Sequence, residues 1–170
     1  MRIIYKYLLV LLLIILQSTL FQYISFFGVK PDTVLVVILS FSLLNGQTEA
    51  IYLSLFGGLF QDILFNNAIG VSTLPLLLVS YVSGIISKNV FKESTFVASV
   101  FVFIGTIVYN LIIMFSMVLM KYHFDFAANF TDIAIKQAIY NTVIIIIFYK
   151  YIVIFNRYIN DSRKSLFKDM

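Results

Sequence analysis

Long apolar runs follow one another along almost the whole of this 170-residue chain, leaving no polar stretch large enough for a soluble domain. A bilayer core of about 30 Å asks for roughly 20 apolar residues of helix, and the first run, residues 7–27, has that length. Charged residues make up 12% of the chain and apolar ones 61%, where soluble domains average about 25% and roughly 45 to 50%. The sequence is therefore read as an all-α polytopic membrane protein with a single domain over residues 1–170.

Polar breaks set the span boundaries. Residues 31–65 are too many for one crossing, and Asn45-Gly46-Gln47-Thr48-Glu49 interrupts them with turn formers and a charge. Two short helices are expected, about 31–46 and 49–65, with a re-entrant hairpin as the alternative. Further runs cover 70–88, 95–120 and 133–156, which makes six transmembrane helices. The first begins behind Arg2 and Lys6 as a signal peptide does, but no small-x-small cleavage site follows it, so it is expected to remain as an anchor.

Six spans place both termini on one side, and the basic residues choose the side. Arg2, Lys6, Lys88, Lys92, Lys150, Arg157, Arg163, Lys164 and Lys168 fall together, against Lys30, Lys121 and Lys136 opposite. Positive charge accumulates in the cytoplasm, so both termini are expected there. The basic tail, 157–170, is expected to rest on anionic lipid. On this reading the pI of about 9.2 reports orientation, and no nucleic acid is expected as a partner.

Little in the chain points to catalysis. Cysteine is absent, which excludes disulfides, thiolate metal sites and a cysteine nucleophile. The single histidine, His123, stands beside Lys121 and Asp125 in a polar connection and reads as a solvated loop residue, because zinc needs three or four ligands. No Ser/His/Asp set, phosphate-binding glycine loop or paired carboxylates appear, so neither enzyme activity nor a cofactor is expected. Tyr7, Tyr23, Tyr122, Tyr149, Tyr151 and Tyr158 fall near span ends and read as an interfacial aromatic belt.

Asp62 is the exception to this apolar monotony. A carboxylate at a helix centre in lipid costs roughly 2.5 to 3.5 kcal/mol, and less toward an interface. Steps of four back from Asp62 reach Gly58, Ser54 and Ala50, a seam of small residues that Gly57 widens. Close helix packing is expected there, with Asp62 bonded to a neighbour through Gln61. A proton or cation relay is the rival reading, but the other acids fall in turns, helix ends or the tail. Pro31 and Asp32 fit a helix start, Pro31 in the first turn and Asp32 at the positive end of the dipole. Gly70 is expected to open the fourth helix after a tight turn at Asn66-Asn67-Ala68. Ser80 and Gly84 repeat the small-residue spacing, and Asn110 is expected to bond across helices.

Together, Pro31-Asp32, the segment Gly57-Gly58-Leu59-Phe60-Gln61-Asp62, and Gly70 with Leu74 resemble the bacterial rod shape-determining MreD family over residues 31–85. The resemblance implies a non-enzymatic inner-membrane component of the machinery that elongates lateral peptidoglycan. It implies MreC, a bitopic protein, as direct partner, and RodA, a class B penicillin-binding protein and MreB as the wider assembly. It also implies a fold similar to the substrate-binding subunits of energy-coupling-factor transporters, hence an alternative role as a membrane subunit binding a vitamin or other small solute. Such subunits present alanine-x-x-x-alanine in the first helix, whereas "YLLVLLLIILQSTLFQ" has no alanine, and the outer loops offer few polar groups. The scaffold is the expectation.

Overall fold

The computed structural model describes residues 4–19, 29–65, 68–119 and 130–166. Expectations for Tyr23, Asn66-Asn67, Lys121, Tyr122, His123 and Asp125 lie outside the described residues. Among the described residues six α-helices carry the fold: α1 (Ile4–Thr19), α2 (Thr33–Asn45), α3 (Gln47–Phe65), α4 (Thr73–Ile86), α5 (Thr95–Leu119) and α6 (Lys136–Leu166). A 3-10 turn, Ser87–Asn89, follows α4, and a π-helical turn, Phe130–Ile135, leads into α6.

α2 is the axis of the bundle. Its residues from Thr33 to Leu43 are all buried, and α1, α3, α4, α5 and α6 each pack against it. A helix that is apolar on every side has no face to give to water, so it takes the centre. At 13 residues α2 is about 20 Å long, and other helices rather than lipid surround most of it. Around it the neighbours run α1, α3, α4, α5, α6, and the ring is loosest between α6 and α1, where a groove of about 510 Å³ is lined by Leu13, Val36, Val37, Ile144 and Phe148.

Outward faces are apolar as well: Leu8 and Leu12 on α1, Ile63 on α3, Leu74 on α4, Phe115 on α5 and Ile146 on α6 are all strongly exposed. Contiguous exposed apolar surface on this scale belongs against lipid or another protein. Among the described residues, two helices are long and apolar enough to cross a membrane by themselves, Thr95–Leu119 and Ile133–Asn160.

Each break has a local cause. Gly46 ends α2 with φ +90°, a conformation that costs glycine little, and its N–H closes onto the Ser42 carbonyl. Between residues 157 and 166 no proline or glycine intervenes, so α6 continues as helix to Leu166 instead of ending near 156. Tyr149 is fully buried, with its hydroxyl donating to the Lys92 carbonyl, so it is a core residue and not part of the belt; Tyr151 and Tyr158 are exposed as expected. Tyr7 is partly buried, its ring edge-on to Phe56 at 5.2 Å.

Candidate functional site

Polar side chains gather at the two ends of the bundle. At one end lie the starts of α2, α4 and α6 and the ends of α3 and α5. Here Asp62 is 1% exposed. Its Oδ1 accepts from the Ser72 N–H at 2.7 Å, and its Oδ2 accepts from the Gly70 N–H at 2.7 Å, the Thr73 N–H at 3.1 Å and the Thr73 hydroxyl at 2.5 Å. The donors belong to the turn after α3 and the first residue of α4, so Asp62 caps α4 from the preceding helix. A carboxylate facing several backbone N–H groups at a helix N-terminus satisfies donors that have no intrahelical acceptor, and it meets the positive end of the dipole.

The expected route through Gln61 is corrected. The Gln61 amide instead donates to Asp32 Oδ1 at 3.2 Å. The seam itself is as anticipated: Ala50, Ser54, Gly58 and Asp62 are all buried on one face of α3. A Cβ on Gly58 would come within 2.6 Å of the Thr73 Cα, so this glycine is what lets α3 approach α4 beside the Asp62 knot. Gly57 points elsewhere, toward Ile38, Val10 and Val34 of α2 and α1. Ser54 donates to the Ala50 carbonyl within its own helix. Gly70 lies in the turn with φ +105°, three residues before α4 begins, rather than opening the helix.

Asp32 is the N-cap of α2, with Oδ1 accepting from Leu35 N–H at 3.0 Å, and Pro31 precedes the cap instead of entering the first turn. Asp32 keeps the expected place at the start of α2, but at 5% exposed it is a second buried acid at this end beside Asp62, which the sequence did not signal. The Asp32 backbone N–H donates to Asn141 Oδ1 of α6, and Asn141 donates in turn to the Thr106 hydroxyl of α5. Asn110 bonds across helices as expected, donating to Gln137 Oε1 at 2.7 Å, while Gln137 donates to the Lys30 carbonyl. Gln17 and Tyr109 side chains complete the surroundings of Asp32. A cavity of about 230 Å³ opens here, so this end holds more polar groups than the sequence suggested.

The opposite end has its own cluster. Lys6, 1% exposed, meets Glu49 at 2.6 Å and lies 5.1 Å from the centre of the Phe41 ring. Asn45 donates to Glu49 and Asn156, and Asn156 and Asn160 donate back to Asn45, joining the α2–α3 turn to α6. Arg157 pairs with Glu93 on the surface. Sequence reasoning missed Gln17, Tyr109, Gln137, Asn141 and the Lys6–Glu49 pair; isolated amides within apolar runs were the available signal.

Among the described residues no three His, Cys, Asp or Glu side chains converge as a metal would need. The polar groups join helices to one another: Asp62 links α3 to α4, Asn141 links α6 to α2 and α5, and Lys6 links α1 to α3. Fold and clusters together define an α-helical membrane protein with apolar outer faces and polar joints inside. The description "rod shape-determining protein MreD" fits residues 1–159 of the 170, and the chain belongs to the MreD family. No curated protein and no solved structure matches it.

Proposed function

We propose that this protein is a non-enzymatic, six-span scaffold of the bacterial inner membrane, with both termini cytoplasmic, that binds MreC and so helps maintain rod shape. Through MreC it would serve the elongation assembly of RodA, a class B penicillin-binding protein and MreB. The observation that carries this reading is the state of Asp62. The acid most costly in lipid is engaged by Gly70, Ser72 and Thr73, which suits a structural joint and leaves a proton or ion relay without its central member. Family membership supports the assignment to cell shape.

The groove between α1 and α6 is the seat this reading favours for the MreC membrane helix, because there the apolar Val36 and Val37 of the central helix form the floor of an apolar groove. Photo-crosslinkers at Leu13 and Phe148 are expected to capture MreC in growing cells, and one at Leu78, on the α4–α5 side, to capture little. Equal capture from all three positions would remove the groove assignment. Failure to recover MreC with the tagged protein from native membranes would remove the scaffold reading itself.

A further inference from the structure

The cavity of about 230 Å³ beside Asp32 is far larger than the roughly 10 to 15 Å³ that one water needs, and its lining, which includes the hydroxyl residues Ser72 and Tyr109, still leaves two buried acceptors without a donor. Gln61, 3% exposed, turns its amide N–H toward Asp32, and the Gln17 side chain also hydrogen-bonds Asp32. Both amides thereby leave a carbonyl oxygen, Gln61 Oε1 and Gln17 Oε1, buried without a partner. Buried acceptors of this kind are uncommon in native proteins, and they favour an occupant that brings donors. A primary ammonium brings three donors and no acceptor, matching the two carbonyl oxygens and the Asp32 carboxylate.

Charge changes sign along the cavity. The carboxylate lies deep, while Lys30 lines the cavity from an exposed position. A simple amine would meet that lysine unfavourably, whereas a zwitterion with its ammonium leading and its anion trailing satisfies both. Phe65 adds an apolar wall for a short alkyl link. The cavity also lies at the ends of the helices, the level at which headgroups meet a membrane-crossing bundle.

We propose that this cavity binds a phosphoethanolamine group, with the ammonium on Gln17, Gln61 and Asp32 and the phosphate on Lys30. A phosphatidylethanolamine headgroup and free phosphoethanolamine share that chemistry. The test uses the full chain, purified in detergent and stripped of lipid, with retention measured by native mass spectrometry. Phosphatidylethanolamine is expected to be retained about tenfold better than phosphatidylcholine, whose methylated nitrogen has no N–H, the ratio set by losing a hydrogen bond to a charged group. Phosphatidylglycerol, which lacks the ammonium, is expected to be retained as weakly as phosphatidylcholine.

Gln61→Leu and Gln17→Leu are each expected to abolish that preference. Gln17 lies on a partly exposed stretch of α1, so its variant keeps the test available if Gln61→Leu does not fold. Saturable binding of free phosphoethanolamine without a lipid preference, lost in the same variants, would identify a soluble source and support the site. Lys30→Met is expected to weaken binding; tighter binding would show Lys30 itself filling the cavity and overturn the proposal. Equal retention of all three lipids with no binding of the free compound, or a preference undiminished in both glutamine variants, would also overturn it. MreC capture enters none of these measurements, so their failure leaves the scaffold reading standing.

Discussion

Asp62 is tolerated within the bundle because backbone and side-chain donors from the next turn meet both of its oxygens, and removal of the carboxylate strands those donors. Asp62→Leu leaves the N–H groups of Gly70, Ser72 and Thr73 without this acceptor, at about 1 to 3 kcal/mol for each that stays buried and unpaired. Asparagine caps helices about as well as aspartate, so Asp32→Asn is expected to change stability by about 1 kcal/mol or less. Thermal unfolding in detergent is expected to rank Asp62→Leu far below Asp32→Asn, with recovery of MreC following the same order. Equal midpoints and equal recovery would show that Asp62 is no joint. The Lys6–Glu49 pair calls for a different design, because deleting one partner leaves the other charge behind. Lys6→Met alone is expected to destabilise more than Lys6→Met with Glu49→Gln, since the double variant removes both charges at once. Glu49 keeps 26% exposure, which limits the penalty, but a double variant worse than the single would contradict a coupled pair.

At the level of elements, α3 and α4 form a hairpin fastened at both ends by glycine. A Cβ on Gly58 would meet the Thr73 backbone at 2.6 Å, and one on Gly84 would meet the Gln47 backbone at 2.7 Å, so neither contact can relax by a rotamer change. Gly57 differs: its nearest obstacle, at 2.7 Å, is the tip of the Ile38 side chain, which can turn aside. Gly58→Ala and Gly84→Ala are therefore expected to cost about 1 to 3 kcal/mol, and Gly57→Ala less. Unfolding midpoints of the three variants check the order, and a Gly57→Ala midpoint below the other two would reverse it. This hairpin was partly legible in the sequence, because a four-residue spacing of small side chains ending in an acid marks a packing face. The acceptor role of Asp62 was not legible, since backbone N–H groups of Gly70 and Ser72 carry no side-chain signature. Nor was the central position of α2: an unbroken apolar run such as Val34 to Leu39 names no inner face, and only its neighbours determine that it is enclosed. The joints missed were long-range ones, Lys6 with Glu49 across 43 residues and Asp32 with Asn141 across 109, which local patterns do not encode.

For the whole molecule, the two ends differ in charge, and that difference predicts how the bundle sits in the membrane. Lys6, Lys88, Lys92, Lys150 and Arg157 gather toward the end that holds Glu49 and Glu93, whereas Lys30 and Lys136 lie toward the end that holds Asp32 and Asp62. On the proposed reading, the positive-inside rule predicts that the Lys6 end faces the cytoplasm. With 31 residues α6 is about 46 Å long, more than the roughly 30 Å of hydrocarbon, and its Arg157 end carries the polar overhang. A chain without cysteine allows a clean test, because a single introduced thiol is the only one present. Ile69, 75% exposed in the α3–α4 turn, and Phe91, 87% exposed between α4 and α5, mark the two ends. In intact spheroplasts a membrane-impermeant maleimide is expected to label Ile69→Cys and to spare Phe91→Cys until the membrane is opened. The reverse pattern would invert the bundle and move the Asp32 cavity to the cytoplasmic face. Labelling of both thiols from outside would end the six-span reading, since the turn at 69 and the connection at 91 would then share one side.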